Sequence, residues 1–271
     1  MELSIIIVNY NTGEMLYNLL KSIAGSLTLR YQVIVADNGS TDSSFSNCRN
    51  RLKDERIIYL PLGVNYGFAK ANNIAAKVAE GELLHFLNPD TLMERGLDSD
   101  YLNCMKEPEY VYITPLENRD GSVENGKMPL PFLGNLFLWN FNRSKARCWY
   151  KGASVIISAE NFRRVGGWSE EYFMYAEDLE LFYRLNRLGI GIRSTSTPIL
   201  HYGGGSTCAI WNRIERESIV QRSFRLFYRR NSNLFQYIGV KLYYFIHYLL
   251  KNPRRVTLEI RAWIKSYGRQ P

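Results

Sequence analysis

The chain has 271 residues, 46% hydrophobic and 22% charged, a balance that excludes a mostly disordered chain and suits one large domain with an appendage. Its net charge of +8 is uneven: residues 213–271 carry 13 Lys/Arg and 3 Asp/Glu, a net of +10, whereas residues 1–212 carry 21 and 23, a net of −2. A near-neutral body with a basic tail points to an anionic partner for the tail, either a membrane surface or nucleic acid.

The four cysteines, Cys48, Cys104, Cys148 and Cys208, form no CxxC pair, so no zinc site or disulfide framework is signalled and reduced thiols are expected. The first residues lead into an apolar run of four, Ile5–Val8, with no basic n-region and no long h-region. No secretory signal is therefore expected, and the chain should stay in the cytoplasm.

Leu3–Val8 is a near-continuous, β-branched apolar run, the pattern of a strand buried on both faces. Asn9–Thr12 supplies turn and capping chemistry. A helix follows with Met15, Leu16, Leu19, Leu20 and Ile23 on one face and Gly25 as its expected stop. Val33–Ala36 is a second strand, ending at the polar turn Asp37–Asp42. Ile57–Leu60 predicts a third strand, Gly67–Ala79 a helix, and Leu83–Leu87 a fourth strand that ends at Asn88-Pro89-Asp90.

This alternation predicts βαβ units and an α/β fold. Ligands of open α/β sheets bind beyond the carboxyl ends of the strands, and the polar clusters Asn9/Asn11, Asp37/Asn38 and Asn88/Asp90 all lie at such ends. Residues 96–150 hold four prolines and an aromatic stretch, and are expected to be a mixed segment covering the site. Ala153–Ser158 predicts a strand. Tyr172–Leu188 predicts a helix with a leucine stripe, a Glu180–Arg184 pair and Gly189 as its stop. Ile199–Tyr202 is a short strand before Gly203. Beyond Trp211, Arg213–Arg230 predicts a basic helix. Asn233–Leu250 is apolar and aromatic but carries Gln236, Lys241 and His247, which favours an interfacial helix over a spanning one.

Four groups carry candidate chemistry. Asp37 can accept hydrogen bonds from a ribose or base, although Asp-Asn-Gly-Ser is also ordinary turn chemistry. No GxGxxG follows the first strand, which disfavours a dinucleotide cofactor. Asn88 and Asp90 offer hard oxygens for a divalent cation on a diphosphate, or merely a turn. Glu177 and Asp178 sit among Tyr172, Phe173, Tyr175, Phe182 and Tyr183, an apolar setting that can raise a carboxyl pKa and suit a general base. Helical acid pairs are otherwise commonly just solvated. His201, at a strand end before a glycine turn, is a candidate ligand or a structural histidine.

Seven blocks in order, SIIIVNYNT, VIVADNGSTD, NYGFAKANN, LHFLNPDT, KGASVIIS, FRRVGGWSEEYFMYAEDLELFYR and ILHYGGGS, run from Ser4 to Ser206. Together they resemble the family-two inverting glycosyltransferases of the A-type (GT-A) fold, and within them the bacterial rhamnosyltransferase-like branch that builds surface polysaccharides. The resemblance implies a mixed, mostly parallel sheet flanked by helices. It divides the chain into a GT-A domain over 1–212, with a nucleotide-sugar half (1–95) and an acceptor and catalytic half (96–212), and a basic helical tail over 213–271.

It also implies site roles. Val8, Tyr10 and Asp37 match positions that hold the nucleobase, and Asn65, Gly67 and Asn72 fall in the block lining the donor site. Asn88 and Asp90 stand where the family carries its metal-binding DxD, with Asn88 replacing the first carboxylate. Asp178 matches the catalytic base, with Glu177 beside it, and His201 matches a histidine that completes the metal site. The acidic block reads ED-L-E where many members have ED-x-D.

The implied reaction moves a sugar from a dTDP-, UDP- or GDP-sugar, with rhamnose favoured, onto a saccharide acceptor, with Mg²⁺ or Mn²⁺ on the diphosphate. A lipid-linked acceptor would explain the basic tail, which would hold the enzyme on the inner face of the membrane. Two rivals stand beside this. A sugar-nucleotide-forming nucleotidyltransferase should carry a glycine-rich basic loop where this chain has NYNTGE. A non-catalytic nucleic-acid binder would rest on the tail alone.

Overall fold

The computed structural model describes residues 1–202 and 211–267. The glycines at 203–205 of the last block and Cys208 lie outside them. The N-terminal part runs β1 (Leu3–Asn9), α1 (Glu14–Ser26), β2 (Tyr31–Asp37), α2 (Ser44–Arg51), β3 (Ile57–Pro61), α3 (Phe68–Ala76) and β4 (Leu83–Leu87). Next come β5 (Thr91–Leu92), α4 (Asp98–Lys106), β6 (Val111–Ile113), β7 (Leu116–Glu117), β8 (Val123–Glu124), β9 (Lys127–Pro129), α5 (Leu133–Phe141), β10 (Cys148–Tyr150) and β11 (Ser154–Ser158). The chain continues through α6 (Ala159–Val165), α7 (Glu177–Arg187), β12 (Ile192–Ser194) and β13 (Ile199–His201), then α8 (Arg213–Asn231), α9 (Leu234–Lys251) and α10 (Pro253–Lys265).

The main sheet has the order β12-β6-β11-β4-β1-β2-β3. β3, β2, β1 and β4 are mutually parallel, β11 runs antiparallel between β4 and β6, and β12 is parallel to β6. Every residue of β1, β2 and β4 is buried, as expected for strands covered on both faces. One face packs on α1 and α4 through Leu16, Leu20, Ile23 and Tyr101. The other packs on α3 and α7 through Ala69, Ala75, Leu181 and Leu185. The result is the expected α/β architecture of a mixed, mostly parallel sheet flanked by helices.

A third core lies apart from the sheet. Leu130, Leu136, Tyr172 and Leu179 pack against Phe227, Tyr228 and Val240 of α8 and α9. The apolar side chains of α8 thus close a core shared with residues 130–179, on the other side of the expected division at 212/213.

Several boundaries differ from the sequence expectations. α1 runs through Gly25 and ends at Ser26, because packing of Leu19, Leu20 and Ile23 outweighs the roughly 1 kcal/mol cost of a helical glycine. α3 ends at Ala76, not Ala79. The helix expected from Tyr172 begins only at Glu177: Tyr175 and Ala176 have φ of 64° and 62°, which no right-handed helix admits. The helices α2, α4 and α6 carried no strong sequence signal, whereas α10 falls in the expected helical tail. α2 reads SFSNCRNR and buries only Ser44 and Cys48, so it has almost no apolar stripe to detect. Cys48, Cys104 and Cys148 are buried and free, and burial pushes the Cys48 and Cys104 thiols up to about 12.

Candidate active site

The parallel strands deliver their carboxyl ends to one edge of the sheet. There Asn9, paired with Asp37 in register, donates its side-chain amide to Asp37 Oδ1 at 2.7 Å and to the hydroxyls of Ser40 and Ser44. The Ser40 amide donates to Asp37 Oδ2 at 3.2 Å. Asp37 is therefore buried and fixed by two donors before any ligand arrives. Asn11 adopts a positive φ of 51°, tolerable for Asn, and its Oδ1 accepts from the amides of Thr41 and Asp42. Tyr10 lies between these two asparagines, partly exposed.

The next layer is the segment before α3. Asn38 donates to Asn65 Oδ1 at 2.9 Å and accepts from the Tyr66 amide, and Asn65 Oδ1 also accepts from the Gly67 amide. Gly67 has a φ of 83°, and an added Cβ would lie 2.4 Å from the Phe173 carbonyl oxygen. That carbonyl accepts from the Phe68 amide at 3.0 Å. The glycine thus lets the start of α3 dock against the loop leading to Glu177.

Two expected site residues turn inward. Val8 joins the core with Ala69 and Phe86, and buried Asn72 spends its amide on the Phe68 carbonyl. Asn9 and Asn38, which the sequence marks only as strand-end polar residues, hold the loops in place.

At the end of β4, Asn88 is anchored through its amide to the Ala153 carbonyl, and its own carbonyl accepts from the Thr91 hydroxyl. β5 pairs antiparallel with β13, opposing Thr91 to His201, and the Tyr202 amide bonds the Asp90 carbonyl. These contacts leave the Asp90 and His201 side chains facing each other, with Nε2 3.7 Å from Oδ1. Asp90 is 3% exposed, and Oδ1 is buried without a hydrogen-bond partner. Such an orphaned oxygen is costly unless something occupies the gap.

Two atoms that ligate one small cation at about 2.1 Å can lie no more than about 4.2 Å apart, and 3.7 Å meets that condition. The pair fits a divalent cation, with the remaining positions left to diphosphate oxygens and water. Among the described residues no cluster of three or more His, Cys, Asp or Glu could hold a metal.

Glu177 and Asp178 open α7 after the strained Tyr175-Ala176 turn. Asp178 Oδ1 accepts from the Leu179 amide at 2.8 Å and Oδ2 from the Gly152 amide at 3.2 Å. A Cβ on Gly152 would come 3.2 Å from the Asp178 Cβ, so the glycine admits the carboxylate. Gly152 adjoins Ala153, which holds Asn88, so one short backbone segment ties Asp178 to the Asn88–Asp90 loop.

Burial pushes Asp178 up to about 6, against the opposing pull of the Leu179 and Gly152 amides and the nearby Lys151 ammonium. Burial, and then the Asp178 charge, raise Glu177 well above the usual carboxylate range, and its Oε2 has no partner. Burial and mutual repulsion thus disfavour a second negative charge on the pair. Glu180 instead forms an ion pair with Arg184 at 2.7 Å, which in turn bonds the Gly167 carbonyl, a structural role.

A cavity of about 760 Å³ opens beside this pair. It is lined by β9 and β10, by Lys151 and Tyr175 to Asp178, and by α8, α9 and α10. Its mostly apolar lining was not legible in the sequence, because it is made by segments far apart in the chain, from Met128 to Trp263.

Residues 4–166, more than half of the chain, match the profile of glycosyl transferase family 2. A Mycobacterium tuberculosis protein named N-acetylglucosaminyl-diphospho-decaprenol L-rhamnosyltransferase is 27% identical over 239 residues, which cover 76% of this chain and 77% of that protein. An Escherichia coli protein named UDP-Glc:alpha-D-GlcNAc-diphosphoundecaprenol beta-1,3-glucosyltransferase WfaP is 24% identical, with 92% of this chain and 94% of that protein covered. The crystal structure of S. aureus TarS 1-349 in complex with UDP-GlcNAc superposes with a TM-score of 0.60 at 18% identity, covering 99% of this chain and 82% of that one. At that identity the likeness speaks for the GT-A fold alone. With the matched segment spanning the parallel strands and their carboxyl-end loops, this chain belongs to glycosyl transferase family 2 and is a nucleotide-sugar-dependent glycosyltransferase.

Proposed function

We propose that the enzyme transfers a sugar with inversion from a nucleoside diphosphate sugar to a hydroxyl of a lipid-linked saccharide, with Asp178 as general base. The observation that carries this is the placement of Asp178. It lies between the strand-end loops and the cavity, held by two amides and deprotonating near pH 6. That poise suits a base at neutral pH.

Asp37, with Asn9 and Ser40 behind it, is pre-set to accept hydrogen bonds from the nucleoside, and Tyr10, Asn65 and Gly67 line the approach. Asp90 and His201 would hold Mg²⁺ or Mn²⁺, which when bound neutralises charge on the leaving diphosphate. The acceptor oxygen attacks the anomeric carbon, its proton passes to Asp178, and the bond to the diphosphate oxygen breaks with its electron pair on the nucleotide. Glu177 stands buried beside Asp178, its carboxyl raised by burial and then by the Asp178 charge.

The relatives' names support L-rhamnose or glucose as the sugar and a polyprenyl-diphosphate saccharide as the acceptor, for surface polysaccharide synthesis. A lipid-linked acceptor agrees with the basic, apolar C-terminal helices and with a site on the inner face of the membrane. Nothing in the site favours the sugar-nucleotide-forming alternative.

Nucleoside diphosphate release, screened across dTDP-rhamnose and UDP- and GDP-sugars with a lipid-diphosphate saccharide, tests the proposal. Asp178→Asn should lower turnover about 10²–10⁴-fold with donor binding retained, and saturating EDTA should stop it. Substantial turnover by Asp178→Asn removes the base assignment. Full activity in chelator removes the metal role of Asp90 and His201.

A further inference from the structure

The cavity beside Asp178 has features that nucleotide-sugar chemistry does not use. Its volume of about 760 Å³ lies within the roughly 300–1,000 Å³ range of ligand sites, yet its walls are mostly hydrocarbon. Val220 and Phe224 of α8, Leu242 and Phe245 of α9, and Val256 and Trp263 of α10 face it. Several of the same side chains are also open to the outside: Leu242 is 56% exposed and Phe245 and Trp263 each 43%. The outer surface beyond them presents Phe235, Leu249 and Leu250. An apolar path therefore runs from an exposed hydrophobic face to the catalytic carboxylates. Apolar walls wetted by water favour the entry of an apolar ligand, which removes that surface from water.

The polar groups within it are sorted. Arg255 pairs with Glu217 of α8 and with Glu259 one turn along its own helix, and Lys151 pairs with Glu124. Lys241 instead donates to the side-chain carbonyl of Gln221, whose amide donates to Glu259, and burial lowers its ammonium to about 8 against the opposing pull of the Glu259 and Glu217 carboxylates. A cation bonded to an amide rather than a carboxylate, inside an apolar cavity, is suited to an anionic ligand group.

We propose that this cavity takes the acceptor's hydrocarbon chain, an isoprenoid diphosphate tail, with Lys241 meeting the diphosphate and the sugar reaching Asp178. This rests on the lipid-linked acceptor proposed above. The three C-terminal helices then form part of the acceptor site, beyond any anchoring role.

The test uses the full chain and a farnesyl diphosphate bearing a benzophenone, photolysed and mapped by peptide mass spectrometry, with nucleotide binding measured in parallel. Labelling should fall within α8, α9 and α10 and be competed by farnesyl diphosphate. Val256→Trp should fill the cavity and suppress labelling while nucleotide binding persists. Lys241→Met, which keeps the cavity's shape, should weaken competition by farnesyl diphosphate roughly tenfold but leave competition by farnesol unchanged.

Labelling confined to the outer faces of α5 and α9, or wild-type labelling in Val256→Trp, overturns the proposal. So does an equal effect of Lys241→Met on both competitors. Cavity labelling without nucleotide release from any donor would leave this site standing and defeat the transferase mechanism instead. Turnover with labelling elsewhere does the reverse.

Discussion

At the scale of single residues, Asp178 couples chemistry to stability with opposite signs. Its carboxyl is raised from the usual 3.8 to about 6, mainly by burial. As a base it must be ionised, so kcat/KM should rise with pH through a limb near 6 and level off above it. For stability, a raised folded-state value favours the protonated form. The contribution is fully present below the unfolded value near 3.8 and is lost as pH rises through about 6. Asp178→Asn should therefore raise the thermal midpoint at pH 7.5 but not at pH 3.5, even as it lowers turnover; a lowered midpoint at pH 7.5 would contradict the burial account. Because burial and the Asp178 charge disfavour ionisation of Glu177, Glu177→Gln should leave the pH limb in place and retain most activity. A limb displaced by this change would mean that Glu177 carries charge in the working enzyme.

At the scale of elements, the decisive contact joins α3 to the loop before α7. Gly67 allows it, with φ of 83° and no room for a Cβ before the Phe173 carbonyl. Backbone in that region costs a non-glycine residue about 1–3 kcal/mol, and each kcal/mol lowers the midpoint of a chain this size by about 2–4 °C. Gly67→Ala should therefore lower the midpoint by several degrees. It should also lower kcat well below the midpoint, because displacing Phe173 displaces the Tyr175-Ala176 turn that aims Glu177 and Asp178. Calorimetry and steady-state kinetics on the same variant check this, and unchanged kcat would mean that the two blocks are independent.

At the scale of the molecule, the C-terminal helices do two jobs. Phe227 and Tyr228 of α8 are buried in a core with Leu130, Tyr172 and Leu179, so removing residues 213–271 would damage the fold as well as any membrane contact. The outward face is separable: Phe235 is 85% exposed and Leu250 78%. Arg229, Arg230, Lys251, Arg254 and Arg261 are exposed on the same helices. Among the described residues no helix is long and apolar enough to cross a membrane, so attachment would be interfacial. The double variant Phe235→Ser/Leu250→Ser should lose flotation with anionic vesicles at least tenfold, given about 1.5–3 kcal/mol per buried side chain. High salt should weaken the wild type further. Wild-type flotation by the double variant would mean that another surface makes the contact.

Much of the sheet and the catalytic helix was legible in the sequence because local pattern dictates them. The short apolar runs of β1, β2 and β4, each closed by turn residues, suit strands covered on both faces, and the leucine stripe of α7 suits a helix against the sheet. The polar residues at strand ends marked the site edge for the same reason. The block order then named the family.

What the sequence left open depends on distant groups meeting. Tyr175 and Ala176 leave the helix because the loop at Phe173 must dock on Gly67. Only β5–β13 pairing brings His201 to within 3.7 Å of Asp90. His85, indistinguishable by type from His201, is locked between Tyr101 and Ser154, and burial lowers it to about 3. Residue type sets which chemistry is available at Asp178, Asp90 and Lys241. Burial, pairing and the closure of α8, α9 and α10 decide which of those groups are charged and what they face, because dielectric and distance belong to the assembled chain.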